Sequence, residues 1–375
     1  MKILVLPREE TNPYQELLYE EMRSRGARIT YLAAVTPSHT LNILLLPLEM
    51  LIRRCGGARV VHLHWVYAFG LPASPKSASV RRATAVWFAF WLRILRPLGL
   101  RLVWTAHNVL PVTPVFEDDL AARGRLVAAS DLVIAHSQAT LDQLAALGMP
   151  ARRSVVIPHG PFTSSQPAAA LRTPGDGDGP RELLYFGKIR PYKGVDILLR
   201  AFAALPPEFD AHLTVAGECG ERELRDELTA LAETTGKSGN RVTLQLDRVP
   251  EEEVTRLLEQ ADAMVLPYRL ITTSGSGVLA LCHGRPLVMP DLPGLADLPD
   301  DAVIRYDGTE AGLAAALAGI VTADRSVLAK MSSAAEAYCA ATTWSEIAEK
   351  TLMEMAKTLG GVNSEQSLTN ATKFS

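Results

Sequence analysis

The sequence predicts an α/β protein built of two doubly wound, parallel-sheet domains. Three observations carry this expectation. Short apolar, β-branched runs alternate along the chain with longer stretches of helical period. The runs fall into two sets, one before residue 160 and one after residue 181. Between them, residues 161–181 are rich in Pro, Gly, Ser and Ala and have no period, which reads as an exposed linker.

The strand candidates of the first set are 2–6, 28–33, 58–63, 100–105, 131–135 and 154–158. Those of the second are 182–187, 211–217, 241–246, 262–267, 286–290 and 302–306. Each is continuously apolar and most end at a turn residue, as parallel strands buried on both faces do. Helices are expected in the gaps. Pro13 to Arg25 places Leu17, Leu18 and Met22 on one side, and Ser137 can cap a helix that runs through Leu147 and stops at Gly148. Pro250 to Ala261 opens with three glutamates, which suit the positive end of a helix dipole. An amphipathic helix around Trp344 to Met355 must pack on something. The expected organisation is a first domain over 1–160, the linker 161–181, a second domain over 182–335, a closing helix over 336–357 and a disordered tail over 358–375. Ligands of open α/β sheets bind outside the carboxyl ends of the strands, so a cleft between the two domains is the expected site.

With 375 residues and 48% apolar content, the chain is a folded globular protein. Its net charge of −3 excludes a generally basic nucleic-acid binder. Residues 1–160 hold 18 basic and 11 acidic side chains, so the first half is basic and the second acidic. Cys55, Cys219, Cys282 and Cys339 lie far apart without metal or redox spacing, and are expected as reduced thiols of a cytosolic protein. The first residues read as a buried strand, not a signal peptide. No apolar run reaches the roughly 20 residues of a transmembrane helix.

Two segments carry chemistry. In Tyr185-Phe186-Gly187-Lys188-Ile189-Arg190-Pro191-Tyr192-Lys193-Gly194, a strand ends at Gly187, and Lys188, Arg190 and Lys193 follow before Gly194 opens a helix. Three cations between a strand end and a helix start suit a diphosphate. Thr272-Thr273-Ser274-Gly275-Ser276-Gly277 precedes a helix expected over Val278 to His283. Its small residues would let a phosphate approach backbone N–H groups, and its hydroxyls add donors.

Here a resemblance becomes clear. Gly187 to Gly194 resembles the G-[RK]-x5-KG-type loop of GT-B glycosyltransferases of the group that includes the phosphatidylinositol mannosyltransferases. Leu279-Ala280-Leu281-Cys282-His283-Gly284-Arg285-Pro286-Leu287-Val288 is similar to that family's E-A-x-x-x-G-x-P-V-V stretch, and Val156-Ile157-Pro158-His159-Gly160 to its V-I-P-N-G junction. Trp344-Ser345-Glu346-Ile347-Ala348 resembles its closing W-x-x-I-A helix, which crosses back to the first domain. The resemblance implies a GT-B fold, two Rossmann-like domains facing a central cleft, and a nucleoside-diphosphate-sugar donor. It implies that Lys188 and Lys193 neutralise the donor diphosphate, with Arg190 as a third cation; Ser274 to Gly277, in the same domain by strand order, can add donors from the other side. Gly187, His159 and Thr273 then fall toward the donor sugar. Fixed cations stabilise a leaving diphosphate without a metal, so neither metal nor cofactor is expected. Asp176-Gly177-Asp178 lies in the linker and reads as a loop.

One departure matters. The family carries two glutamates eight positions apart, and by register with Gly284 they fall at Ile271 and Leu279. Either the Ser/Gly segment supplies the sugar contacts, or the enzyme inverts and needs a general base near the acceptor hydroxyl. Candidates for that base lie at strand ends of the first domain: His107 in Thr105-Ala106-His107-Asn108, and Glu117 and Asp118 (with Asp119) in the next loop. His64 and Trp65 of His62-Leu63-His64-Trp65, with Asn108, are expected on the acceptor side. The family's glycine-rich loop after the first strand is replaced here by Pro7 to Pro13.

The basic first half has a focus. From Lys76 to Arg101 there are six cations and no acids, with Trp87, Phe88, Phe90 and Trp91 among them, and Leu41 to Arg54 is apolar and ends in Arg53-Arg54. Such segments can lie in an anionic membrane interface or pack as core helices with solvated arginines. The expected function is transfer of a sugar from a UDP- or GDP-linked donor to a saccharide acceptor, lipid-linked, at the inner membrane face. The alternatives are a soluble enzyme acting on a small natural product and a catalytically silent nucleotide-sugar-binding protein.

Overall fold

The computed structural model describes residues 1–9, 12–71, 77–111, 113–162, 179–237, 240–271 and 273–360. Expectations for Lys76, Thr272, Asp176, Asp178, most of the linker and the tail beyond Gly360 therefore lie outside the described residues, as do Glu10 and Thr11 of the loop that follows the first strand. The chain divides into two units, Met1–Pro158 with Trp344–Ser375, and His159–Thr343.

The first unit is a six-stranded parallel sheet. Its strands are β1 (Lys2–Leu6), β2 (Arg28–Tyr31), β3 (Val60–Leu63), β4 (Arg101–Ala106), β5 (Leu132–Ala135) and β6 (Ser154–Val156), in the order β2-β1-β3-β4-β5-β6. The helices are α1 (Tyr14–Ser24), α2 (His39–Cys55), α3 (Ala78–Leu95), α4 (Asp119–Ala129) and α5 (Gln138–Ala146). Strands β3, β4 and β5 are buried on both faces because helices cover both, which is why their sequences are continuously apolar. Ser137 caps α5, its hydroxyl accepting from Thr140 N at 3.1 Å.

The second unit repeats the plan with β7 (Arg181–Phe186), β8 (Ala211–Ala216), β9 (Arg241–Gln245), β10 (Ala263–Val265), β11 (Leu287–Pro290) and β12 (Val303–Tyr306). Their order is β12-β11-β10-β7-β8-β9, all parallel. Read from β9, this is the 3-2-1-4-5-6 order of a doubly wound nucleotide-binding sheet, with its switch point between β7 and β10. The helices are α6 (Val195–Ala203), α7 (Arg222–Lys237), α8 (Glu251–Gln260), α9 (Gly275–Cys282), α10 (Glu310–Thr322) and α11 (Arg325–Ala340). Residues 336–340 thus finish α11 inside this unit. A last helix, α12 (Trp344–Thr358), packs on α1 of the first unit: the Trp344 and Tyr14 rings meet edge to face at 5.2 Å, and Lys350 Nζ donates to Val156 O at 2.9 Å.

Three expectations are corrected. Helix α9 begins at Gly275, three residues before the expected start, because Ser274 caps it by accepting from Gly277 N at 3.0 Å. Ser276 and Gly277 are therefore first-turn residues and not loop. Cys282 and Cys339 are joined in a disulfide: the end of α9 lies against α11, with the two Cα atoms 5.3 Å apart despite 57 residues of separation. In α3, Phe88 and Trp91 are fully buried and belong to the core of the first unit, so they cannot face a membrane.

Candidate active site

In the second unit the two chemical segments meet at the β7/β10 switch point. Gly194 sits between the 3₁₀ turn Pro191–Lys193 and α6 with φ +73°, and an added Cβ would overlap the Pro267 carbonyl oxygen just after β10. Gly187, at φ +148°, abuts the start of α9, since a Cβ there would lie 3.0 Å from Ser276 Oγ. Backbone of one segment therefore touches the other. Lys193 Nζ lies over the Tyr268 ring at 4.2 Å from its centroid, and Tyr268 Oη is 2.9 Å from Ser274 Oγ. Tyr268 thus links Lys193 to Ser274, the N-cap of α9, whose first N–H groups lack intrahelical partners. Lys188 is exposed, and Arg190 leans toward Glu221 at 3.8 Å. Of the three cations, the structure thus brings Lys193 to the Ser/Gly segment.

A clamp that the sequence reading did not single out holds the cationic loop. The Arg269 guanidinium bonds both Asp196 oxygens, at 2.8 and 2.6 Å, while Arg269 N donates to Tyr192 O at 2.9 Å. Arg200 adds a bond to Asp196 Oδ2 at 2.7 Å. Burial works to raise the Asp196 pKa, but the hydrogen bonds from Arg269 and Arg200 outweigh it and hold the carboxyl below its usual range. Thr273 carries a buried Oγ1 with no hydrogen-bond partner among the described residues. A buried hydroxyl without a partner is costly. His159 is buried with Nδ1 2.7 Å from Gly160 O, and its ring meets Phe162, whose own ring lies against Gly275.

In the first unit, the carboxyl ends of β3, β4 and β5 carry a connected group of histidines. His62 Nε2 lies 2.8 Å from Thr105 Oγ1, and His62 Nδ1 lies 2.7 Å from Tyr19 Oη. Tyr19 Oη is also 2.6 Å from His64 Nε2. His64 Nδ1 is 2.9 Å from His107 Nε2, His107 Nδ1 is 3.3 Å from His136 Nε2, and His136 Nδ1 is 3.0 Å from Ile157 O. Helix α1 covers the group, with the Tyr14 ring edge-on to His64, His107 and His136. Trp65 stacks on His107 at 4.4 Å with 16° between the planes, and Asn108 is exposed beside it. Burial pushes His62 down to about 3 and His136 down to about 4. Burial and the neighbouring rings push His64 well below its ordinary value. Among the described residues, no group of three His, Cys, Asp or Glu side chains is placed to hold a metal ion.

The acids expected nearby are engaged elsewhere. Glu117 pairs in bidentate fashion with Arg82, and this hydrogen bonding holds its carboxyl below the usual range. Asp118 is the N-cap of α4, accepting from Ala121 N at 2.8 Å. Asp119 accepts from Phe116 N at 3.0 Å. The structure does not bring Glu117 or Asp118 into the histidine group.

Residues 180–323 match the family model described as glycosyl transferases group 1, and residues 18–161 match that of glycosyltransferase family 4. The chain is a group 1 glycosyltransferase. A similar relative is the GDP-mannose:glycolipid 4-beta-D-mannosyltransferase of Xanthomonas campestris pv. campestris, 26% identical over 80% of this chain and 77% of that protein. The D-inositol 3-phosphate glycosyltransferase of Segniliparus rotundus is 31% identical over 55% of this chain and 49% of its own length. Among solved structures, the sucrose-phosphate synthase of Thermosynechococcus elongatus aligns with TM-score 0.72 at 15% identity, covering 96% of this chain and 99% of that one. Anabaena HepE, solved with UDP-glucose, aligns with TM-score 0.68 at 19% identity over 95% and 100%. The fold of this glycosyltransferase is thus of the GT-B type, and its donor is a nucleotide sugar. Its Asp196–Arg269 clamp and its Tyr19–His136 group escaped the sequence reading because their members are 73 and 117 residues apart.

Proposed function

We propose that this glycosyltransferase moves a hexose from a nucleoside diphosphate sugar to a saccharide carried on a lipid, acting as a cytoplasmic enzyme docked on an anionic membrane surface. The observation that carries the acceptor half is the outer face of α2. Leu41, Leu44, Leu48, Leu51 and Ile52 stand exposed at helical spacing, and Arg53 closes the stripe. Helix α3 adds exposed Val86 and Phe90, with Arg93 and Arg96 beyond them. Trp87 Nε1 ties the two helices by donating to Ile43 O at 3.2 Å. Exposed leucines beside arginines suit the headgroup boundary of an anionic bilayer. No single helix among the described residues is long and apolar enough to cross a membrane. A relative whose name states a glycolipid acceptor supports the same reading.

On the donor side, Lys193 with Lys188 and Arg190 meets the diphosphate charge without a metal, and Ser274 to Gly277 offers the amino-terminal turn of α9. Ile271 and Leu279, where the family has glutamates, are half-buried against the core of the second unit. The sugar contacts then fall to main chain and small side chains: Gly187, His159 and Thr273, the last with its unpartnered hydroxyl. His64, Trp65, His107 and Asn108 form the acceptor side.

Co-sedimentation with phosphatidylglycerol/phosphatidylcholine vesicles tests the membrane part. Binding that is lost in Leu44→Glu/Leu48→Glu supports it. A protein that stays in the supernatant at low salt favours the soluble-enzyme alternative. If the purified protein binds a UDP- or GDP-sugar but releases nucleoside diphosphate from none of a panel with any acceptor, the silent-binder reading replaces transfer.

A further inference from the structure

The histidine group of the first unit allows its protons to be counted. Ile157 O is a carbonyl and can only accept, so His136 must carry its proton on Nδ1 to make the 3.0 Å bond. His136 is neutral near pH 7 because burial disfavours its cation, so its Nε2 is a bare acceptor. His107 Nδ1 therefore donates to it. His64 is likewise kept neutral by burial and by its neighbours. Tyr19 keeps its single proton because burial raises its hydroxyl far above the ordinary value. A neutral His107 has a bare Nε2 that accepts from His64 Nδ1, and His64 Nε2 then accepts from Tyr19 Oη. Tyr19 Oη then accepts from His62 Nδ1, and Thr105 Oγ1 donates to His62 Nε2. With these tautomers each contact of the series has one donor and one acceptor, and the donors point one way, from Thr105 toward Ile157.

We propose that Thr105, His62, Tyr19, His64, His107 and His136 form one closed, one-directional hydrogen-bonded chain in which all four rings carry their proton on Nδ1, and that His107 is held there as a positioning residue for Trp65. Both nitrogens of His107 are spent within the chain, Nδ1 toward His136 and Nε2 toward His64. This assigns His107 a positioning role in place of the general base expected of it. What it offers outward is its flat face, against which the half-buried Trp65 lies at 16°. A ring fixed on both edges by hydrogen bonds cannot rotate, and a fixed ring orients the indole stacked on it. An indole at a strand end is a platform for the apolar face of a sugar ring. The series thus converts buried hydrogen bonds at β3, β4 and β5 into the placement of an acceptor-binding aromatic. The role given to Trp65 rests on the reading of this unit as the acceptor side.

The decisive measurement uses the intact wild-type chain. Long-range ¹⁵N–¹H spectra of ¹⁵N-histidine-labelled protein at pH 7 distinguish the protonated from the bare nitrogen of each of the eight histidines. At least four neutral rings with the proton on Nδ1 are expected, assigned by single His→Gln variants to positions 62, 64, 107 and 136. Fewer than four such rings overturns the chain, whatever the variants do. In Tyr19→Phe, His62 loses its acceptor and is expected to move its proton to Nε2, while His64, His107 and His136 keep theirs. A His62 signal that does not move argues against the series. Kinetics with an octyl glycoside acceptor separate the two roles of His107. His107→Gln and Tyr19→Phe are each expected to raise acceptor KM about tenfold, with donor KM unchanged and kcat within about tenfold of wild type. Loss of a hundredfold or more of kcat in His107→Gln, with loss of the rising limb of the pH–rate profile, makes His107 the base and overturns the positioning role. If the four tautomers are as assigned but Trp65→Ala leaves acceptor KM unmoved, the chain stands and the acceptor-side reading of Trp65 falls.

Discussion

Acid should unfold the first unit of this glycosyltransferase in a pH range where carboxylates scarcely titrate. The groups responsible are His62, His64 and His136, whose folded-state pKa values burial lowers, to about 3 for His62 and about 4 for His136. In the unfolded chain each returns to about 6.5. Below that value the unfolded state binds more protons than the folded one, so stability falls as pH falls. The loss begins near pH 6.5 and continues down toward the folded-state values. At pH 5.5 His62 and His136 together cost roughly 3 kcal/mol, and His64 adds to the loss in the same direction. A domain has only about 5–15 kcal/mol to lose, and for its size the loss from His62 and His136 corresponds to a melting temperature lower by roughly 6–12 °C. The assay is built into the sequence. All five tryptophans, Trp65, Trp87, Trp91, Trp104 and Trp344, belong to this unit, so tryptophan fluorescence reports its melting alone. Thermal melts at pH 7.5 and pH 5.5 check the expectation. A midpoint that moves by less than about 3 °C would refute the claim that these rings are held neutral.

Three further predictions concern the second unit and the surface. Lys193→Ala should weaken binding of the preferred UDP- or GDP-sugar at least tenfold, about 1.4 kcal/mol, by calorimetry, and unchanged affinity would remove Lys193 from the donor site. Gly194→Ala should destabilise the second unit by about 2 kcal/mol or more in chemical denaturation, because a Cβ there overlaps Pro267 O at positive φ. Leu48→Glu alone should reduce vesicle binding several-fold without changing the melting temperature by more than about 2 °C, since Leu48 is 55% exposed.

Much of the architecture was legible because of how parallel sheets bury their strands. The twelve expected strands are present, with ends shifted by one or two residues, since a strand covered on both faces must be apolar throughout. Helix starts were less legible. Gly275-Ser276-Gly277 reads as loop by composition, yet Ser274 caps it and the fold makes it a helix. The identity of a partner could not be read locally. Glu117 and Asp118 look like free carboxylates until Arg82, 35 residues earlier, and the α4 backbone take them. The same holds for Cys282 and Cys339, which only the packing of α9 on α11 brings together. Aromatic content marked α3 as a candidate interface, but burial assigns Phe88 and Trp91 to the core and leaves the leucines of α2 outside. His62 and His64 were visible as an alternating pair on a strand, whereas Tyr19 and His136 gave no local sign of their connection.

The close approach of Gly194 to Pro267 has a consequence for engineering. The spacing of the two segments at the switch point is set by main chain against main chain, so side chains around them can change without altering it. A graft that imports the 187–194 loop from another glycosyltransferase but keeps the host's 267–277 segment would bring together two backbones not shaped for one another. The two segments form a single cassette, and altering donor choice by transplantation requires moving them together.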